Sequence, residues 1–295
     1  MKIEKIYIVG GGLMGAGIAQ VAITEGYSVT LNDLSADILE KSRIGIDKML
    51  SKSVQKERMK QEEKDAAMAR LTLSDKLDSA ASADLVIEAI VEKAELKKTV
   101  FTTLSDICRE DAILASNTSS ISISELSSVV KNPARFVGMH FFSPVPFMKL
   151  LEIVGGVSTS EETIAAAKEI GARLGKTCIV SKDSPAFIVN RLLVPMINEA
   201  VWLLESGIGS TTDIDAGATC GLNHPMGPLE LADMTGIDIA YAALEVIHTE
   251  TGDPKYRPAL LFRKMVNMGW LGRKTGKGFY IYHEDGTKTV NADLL

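Results

Sequence analysis

Cysteine, histidine, positive charge and long apolar runs are all scarce in this chain of 295 residues, and each shortage closes off a class of function. Cys108, Cys178 and Cys220 lie far apart, odd in number, with no CxxC pair and no neighbouring His. They exclude a disulfide frame and a cysteine zinc site, so no metal is expected; they read as reduced core thiols of a cytoplasmic protein. The formal net charge of −6 leaves no broad basic surface for sequence-blind nucleic-acid binding, although a local basic patch for one anionic ligand is still allowed. His140, His224, His248 and His283 are the only histidines, which narrows the choice of a proton-transferring imidazole. Only one uncharged stretch approaches the length of a membrane span, "IYIVGGGLMGAGIAQVAIT" at residues 6–24.

What is present is the composition of a soluble globular protein, 46% hydrophobic and 24% charged, at a length that suggests two domains. The uncharged stretch fits no membrane role. Gly10, Gly11, Gly12, Gly15 and Gly17 would weaken a spanning helix, and they interrupt the compact apolar centre that a secretory signal needs. A strand over "KIYIVG" followed by a helix over "MGAGIAQVAITEG" accounts for more of the residues. Gly10, Gly12 and Gly15 then form G-x-G-x-x-G. The first permits a tight turn, the second lets a pyrophosphate approach the backbone, and the third lets helix pack on strand. Leu13 and Met14 lie where the turn passes into the helix, whose N-terminal N–H groups and positive dipole end suit phosphate.

A second strand, "YSVTLND", ends on Asp33, 21 residues after Gly12. That is where a dinucleotide-binding unit carries the acid that bonds the adenosine ribose. A carboxylate there repels a 2′-phosphate, so NAD is favoured as cofactor, with NADP left open. The plainer role for Asp33 is to cap the next helix. Strands and helices continue to alternate, which implies an α/β fold: a Rossmann-type, mainly parallel sheet with helices on both faces. From Ser184 the texture becomes helical, with Gly- and Pro-rich turns and little strand character before "GFYIY". The expected organisation is a dinucleotide-binding domain over residues 1–183 and an all-helical domain over residues 184–295 that carries substrate contacts and a dimer interface.

His140 lies in "GMHFFSPVP" at the end of a strand, and Glu152 follows in the apolar "KLLEIVGG". The turn between them gives the chain a return path, so the two side chains can meet. A carboxylate on one imidazole nitrogen fixes the tautomer and leaves the other nitrogen to take a proton. The alternative is a core His bonded to a carbonyl and a surface Glu. "ASNTSSISIS" brings Asn117, Thr118, Ser119 and Ser120 to the same sheet edge, either to bond a substrate oxygen or simply to cap a helix. Asn190, within the first apolar helix of the second domain, either reaches a cleft or faces solvent. Lys48, Lys52 and Lys56 recur every four residues. They line one side of a helix, as a solvated face or as a clamp for a polyanionic tail.

The phrases "GGGLMGAGIAQ", "IEAIVEKAELKK", "ASNTSSISI", "GMHFFSPVPFMKLLEIV", "SPAFIVNRLLVPMINEA" and "GLNHPMGPLELAD" together resemble the 3-hydroxyacyl-CoA dehydrogenase family, and within it the short bacterial 3-hydroxybutyryl-CoA dehydrogenases. The resemblance spans essentially the whole chain. It implies NAD-dependent interconversion of a short (S)-3-hydroxyacyl-CoA and its 3-ketoacyl-CoA. It implies that His140 is the general base, Glu152 its partner acid, and Ser119 and Asn190 the groups that hold substrate. Gly10, Gly12, Leu13, Met14, Gly15 and Asp33 match the cofactor loop. Glu92, Lys97, Asn117 and, more weakly, Lys274 fall on positions that line the cofactor. Lys52 and Lys56 match contacts to the coenzyme A nucleotide, and Asn223 falls near the substrate cleft. A CoA thioester partner, a homodimer through the second domain, and no nucleic-acid or membrane partner are the further expectations. Gly11, where a small residue such as Ala is common, is expected to loosen the turn. Two rival readings share these residues: a same-fold dehydrogenase of a free hydroxy acid such as L-gulonate, and a non-catalytic NADH-binding relative.

Overall fold

A computed structural model describes residues 2–294. The chain divides into two compact units, Met1–Ser184 and Pro185–Leu295.

The first unit opens with β1 (Lys5–Val9), α1 (Leu13–Thr24), β2 (Ser28–Asn32), α2 (Ala36–Gln55), α3 (Gln61–Met68) and β3 (Leu71–Ser74). It continues with β4 (Leu85–Glu88), α4 (Ala94–Ile107), β5 (Ile113–Ser116), α5 (Ile123–Ser127), β6 (Phe136–Phe141), β7 (Leu150–Gly155), α6 (Glu161–Arg173) and β8 (Thr177–Lys182). The eight strands form one sheet in the order β3-β2-β1-β4-β5-β6-β7-β8. Strands β1 to β6 pair in parallel, β7 runs antiparallel to β6, and β8 is parallel to β7. After β3 the chain crosses back to place β4 beside β1. The loops that follow β1 and β4 therefore diverge, and a crevice opens at the carboxyl ends of these strands.

Local sequence explains the elements. Strands β4, β5 and β6 are buried at every residue, as expected of parallel strands covered on both faces. Helix α2 starts where the Ser35 hydroxyl accepts from Ile38 N–H, with Asp37 favourable in its first turn. Ile18, Ala19 and Ala22 of α1 pack with Ile8, Leu31 and Ile87 of the sheet in one apolar cluster. Each buried Ile there contributes about 1.5–3 kcal/mol.

The second unit comprises α7 (Val189–Glu205), α8 (Thr211–Ala216), α9 (Pro228–Thr235), α10 (Ile237–Thr251), α11 (Leu260–Asn267), β9 (Tyr280–Tyr282) and β10 (Lys288–Val290). It is helical as expected apart from one feature: "GFYIY" is half of a two-stranded antiparallel hairpin. Two buried acids fasten the hairpin to the helices. Asp215 accepts from the N–H groups of Leu229 (2.8 Å) and Glu230 (3.1 Å), which caps α9, and from the Tyr280 hydroxyl (2.7 Å). Asp233 accepts from the N–H groups of Phe279 and Tyr280 (both 2.9 Å) and from the Tyr282 hydroxyl (3.1 Å). Burial pushes the Asp233 carboxyl up to about 6. The backbone bonds and Tyr282 oppose that rise, and the charge on Asp215 adds to it. Among the described residues no helix is long and apolar enough to cross a membrane.

Candidate active site

The loop after β1 is built by close approach. Gly10 has φ +106°, and a Cβ on it would stand 2.6 Å from the Ala89 carbonyl oxygen beyond β4. A Cβ on Gly15 would fall 1.8 Å from the Gly10 carbonyl oxygen, so only glycine lets α1 sit this close to β1. At Gly12 a Cβ would meet nothing within 4 Å. Helix α1 begins there with no capping side chain and no acid in its first turn. The N–H groups around Leu13, Met14 and Gly15 thus form an uncapped positive terminus suited to a pyrophosphate.

Asp33, just past β2, accepts from Gly11 N–H at 2.8 Å and from Ser35 N–H at 3.0 Å. It does not cap α2, since that position belongs to Ser35. The Gly11 carbonyl accepts in turn from the buried Ser42 hydroxyl of α2. Gly11 is therefore tied at both of its polar groups, and the expected loosening of the turn is not found. Its N–H is taken by the Asp33 carboxylate, so the N–H groups left without a partner are those of the residues that follow, at the start of α1.

His140 and Glu152 are direct cross-strand partners in the β6–β7 pair. The spacing of 12 residues is the length of a hairpin that returns each to the other. His140 Nδ1 lies 3.0 Å from Glu152 Oε2; the His is 6% exposed and the Glu fully buried. The Phe142 ring packs against the imidazole at 4.5 Å between centroids. A carboxylate on Nδ1 places the proton there and makes Nε2 the basic nitrogen. Asn117 brings the next loop alongside, for its Oδ1 accepts from Phe141 N–H at 2.9 Å, one residue from His140.

That loop is organised by a charge network. Buried Lys97 donates to Glu88 Oε1 at 2.6 Å and lies 3.2 Å from Glu92 Oε2. Fully buried Glu88 also accepts from Ile90 N–H (2.7 Å) and the Ser116 hydroxyl (2.6 Å). Glu92 Oε1 accepts from the Thr118 hydroxyl, from Ser119 N–H at 2.9 Å and from Ser120 N–H at 3.3 Å. Burial would raise the Glu92 carboxyl, but Lys97 and these donors hold it below the ordinary carboxylate range. The backbone of Ser119 is thereby fixed through Glu92 and Lys97 to the end of β4.

A cavity of about 440 Å³ lies beside the glycine loop, between α1, α2 and the turn joining β6 to β7. Ile38, Lys41, Ser42, Gly45 and Met49 form its α2 side. Lys52 continues the same helical line one turn beyond Met49, whereas Lys56, expected on that line, is the C-cap residue just past the end of α2. Lys48, Lys52 and Lys56 are exposed and carry no ion pair among the described residues. Among those residues no group of His, Cys, Asp or Glu could hold a metal ion.

Comparison with known proteins accords with this geometry. Residues 5–184 match the 3-hydroxyacyl-CoA dehydrogenase NAD binding domain, and residues 187–282 match the C-terminal domain of the same family. The chain belongs to the 3-hydroxyacyl-CoA dehydrogenase family. It is 48% identical over 288 residues to a 3-hydroxybutyryl-CoA dehydrogenase of Bradyrhizobium diazoefficiens, covering 98% of each chain. It is 40% identical to the human mitochondrial hydroxyacyl-coenzyme A dehydrogenase, over 95% of this chain and 91% of that one. The crystal structure of (S)-3-hydroxybutyryl-CoA dehydrogenase from Ralstonia eutropha superposes with a TM-score of 0.94 at 46% identity, covering 96% of this chain and 100% of that one.

In this family member the remaining candidates, Asn190, Asn223 and Lys274, belong to the second unit. Asn190 is the second residue of α7 and is half-buried. Asn223 is exposed with φ 57°, a conformation Asn tolerates better than most residues, which gives it a local structural reason to be there. Lys274 is paired with Asp238 at 2.6 and 2.7 Å, so its ammonium already engages a carboxylate of the same unit. Sequence reasoning missed Glu88 and Ser42. Glu88 carried the signal that found Glu152, an acid inside an apolar strand; Ser42 carried none, because a serine within an amphipathic helix is unremarkable.

Proposed function

We propose that this chain is a cytoplasmic NAD-dependent dehydrogenase that interconverts (S)-3-hydroxybutyryl-CoA and acetoacetyl-CoA. The observation that carries the reading is the buried His140–Glu152 pair at 3.0 Å, at the sheet edge that also presents Ser119. NAD, when bound, supplies the hydride acceptor. The glycine loop fits its pyrophosphate and Asp33 its adenosine ribose; Glu92, Lys97 and Asn117 line the far end, with Lys274 a weaker contact. His140 takes the proton of the C3 hydroxyl through Nε2 as the C3 hydride departs, leaving the ketone. Glu152 stabilises the imidazolium that results. In the reverse direction His140 returns the proton to the C3 oxygen. Ser119 and Asn190 hold the substrate oxygens, Asn223 borders the cleft, and Lys52 and Lys56 take the phosphates of coenzyme A. The second unit contributes substrate contacts and a homodimer interface.

The test compares NADH- and NADPH-dependent reduction of acetoacetyl-CoA and of free hydroxy-acid precursors. The expected result is strong preference for the thioester and for NADH, the latter because Asp33 repels a 2′-phosphate. Efficient turnover of a free keto acid would assign the site to the rival substrate class, and NADH binding without turnover would make the protein a non-catalytic relative. Lys52→Ala with Lys56→Ala should raise KM for the thioester several-fold, with the increase shrinking at high salt as exposed charges are screened.

A further inference from the structure

One wall of the cavity is the turn between β6 and β7, and the group that holds this wall comes from the residue that leads into β8. Pro144, Val145, Pro146 and Phe147 line the cavity opposite α2. Inside the turn the Pro144 carbonyl accepts from both Phe147 and Met148 N–H, each at 3.0 Å. The Val145 and Met148 carbonyls go elsewhere. Lys176, the residue before β8, donates from Nζ to Val145 O at 2.6 Å and to Met148 O at 2.8 Å.

Lys176 is 9% exposed and carries no ion pair among the described residues. An ammonium buried against neutral carbonyls costs desolvation, and burial lowers its pKa accordingly. Apolar filling would avoid that cost. What methionine cannot supply is a set of donors that draws two carbonyls of one turn to a single point. The footing of Lys176 is firm: its own N–H bonds Gly171 O at 3.0 Å, and Thr177 N–H bonds Lys149 O at 2.7 Å. On the other side, a Cβ on Gly17 of α1 would stand 2.9 Å from Val145 Cβ. The turn is therefore held between the backbone of α1 and the ammonium of Lys176.

We propose that Lys176 is a positioning residue for substrate: by tying the Val145 and Met148 carbonyls it sets the cavity wall against which the arm of the CoA thioester lies. It acts on affinity without touching the thioester. This inference rests on the proposed thioester function.

The experiment measures kcat and KM for acetoacetyl-CoA, the dissociation constant of NADH by fluorescence, and the parent's preference for acetoacetyl-CoA over free acetoacetate. Lys176→Met should raise KM about tenfold, the scale of losing bonds from a charged donor, with kcat and NADH affinity kept within about twofold. A KM unchanged from the parent, with the thioester preference intact, overturns the Lys176 assignment alone. A parent with no thioester preference overturns the functional reading and this inference together. Equal loss of NADH and thioester affinity makes Lys176 a general support of the unit and also overturns the proposal, as does a fall confined to kcat. If Lys176→Met does not fold, Lys176→Gln decides, since its shorter, uncharged side chain does not reproduce the two bonds of the ammonium: a raised KM with normal NADH binding supports the assignment, and parental KM overturns it.

Discussion

Glu152 in the first unit and Asp215 and Asp233 in the second are all buried acids in apolar surroundings, yet their partners differ in kind. Glu152 engages one nitrogen of an imidazole, whose second nitrogen can take and give a proton. Among the described residues, the carboxylates of Asp215 and Asp233 hydrogen-bond only backbone N–H groups and tyrosine hydroxyls. Burial and the neighbouring acids push both tyrosines further from ionisation. The first arrangement can move a proton; the second can only hold chain segments together. A distinctive phrase around a buried acid therefore marks chemistry in one unit and architecture in the other.

Substitution should separate the two. His140→Ala is expected to lower kcat by about 10²–10⁴ while NADH binding stays near that of the parent. Glu152→Gln should lower it less and shift the pH–rate profile, because the imidazolium loses its counter-charge. Near-normal turnover of His140→Ala would dissolve the contrast. Asp215→Ala should do the opposite. Orphaning two buried N–H groups and a hydroxyl should destabilise the protein by about 3 kcal/mol, read by chemical denaturation, with the acid–base profile of the surviving native enzyme unmoved. A shifted profile would bring Asp215 into the chemistry.

The smallest effect concerns pH. Asp233 titrates near 6 in the folded protein, above the value of about 3.9 for an unfolded Asp. Between those values the native state binds the more protons, so this group makes stability fall as pH rises from about 4 to about 6, by about 1–3 kcal/mol. The trend is opposite to that of a salt-bridged acid. Carbon-13 NMR of the Asp233 carboxyl, assigned with Asp233→Asn, should show a midpoint near 6; a midpoint near 4 would remove the effect.

Much of the first unit was legible because its signals are local. The strand–glycine–helix–strand order and Asp33 lie within one short segment, and Lys48 and Lys52 of α2 follow helical period. His140 and Glu152 were legible because a single hairpin separates them. The bond from Asn117 to Phe141 was not, since it depends on β5 and β6 becoming neighbours; nor was the sharing of Lys97 by Glu88 and Glu92, since it depends on how α4 folds back on the end of β4. Nor was β10, whose residues are all exposed and show no apolar alternation. The phrase around Asp233 was visible as distinctive but not as structural, because its partners, Phe279, Tyr280 and Tyr282, lie more than 40 residues downstream.

By itself the sequence determined the alternation of elements, the bare backbone of the glycine loop and the short list of titratable candidates, because propensity, period and sterics act over a few residues. Tertiary structure decided which polar groups meet. The sheet order sets β1 beside β4 and β6 beside β7, and burial then leaves each acid only the partners that this order brings within reach. That is why Glu152 found an imidazole and Lys176 the two carbonyls of a cavity wall, while in the second unit the packing of α9 gave Asp233 a hairpin.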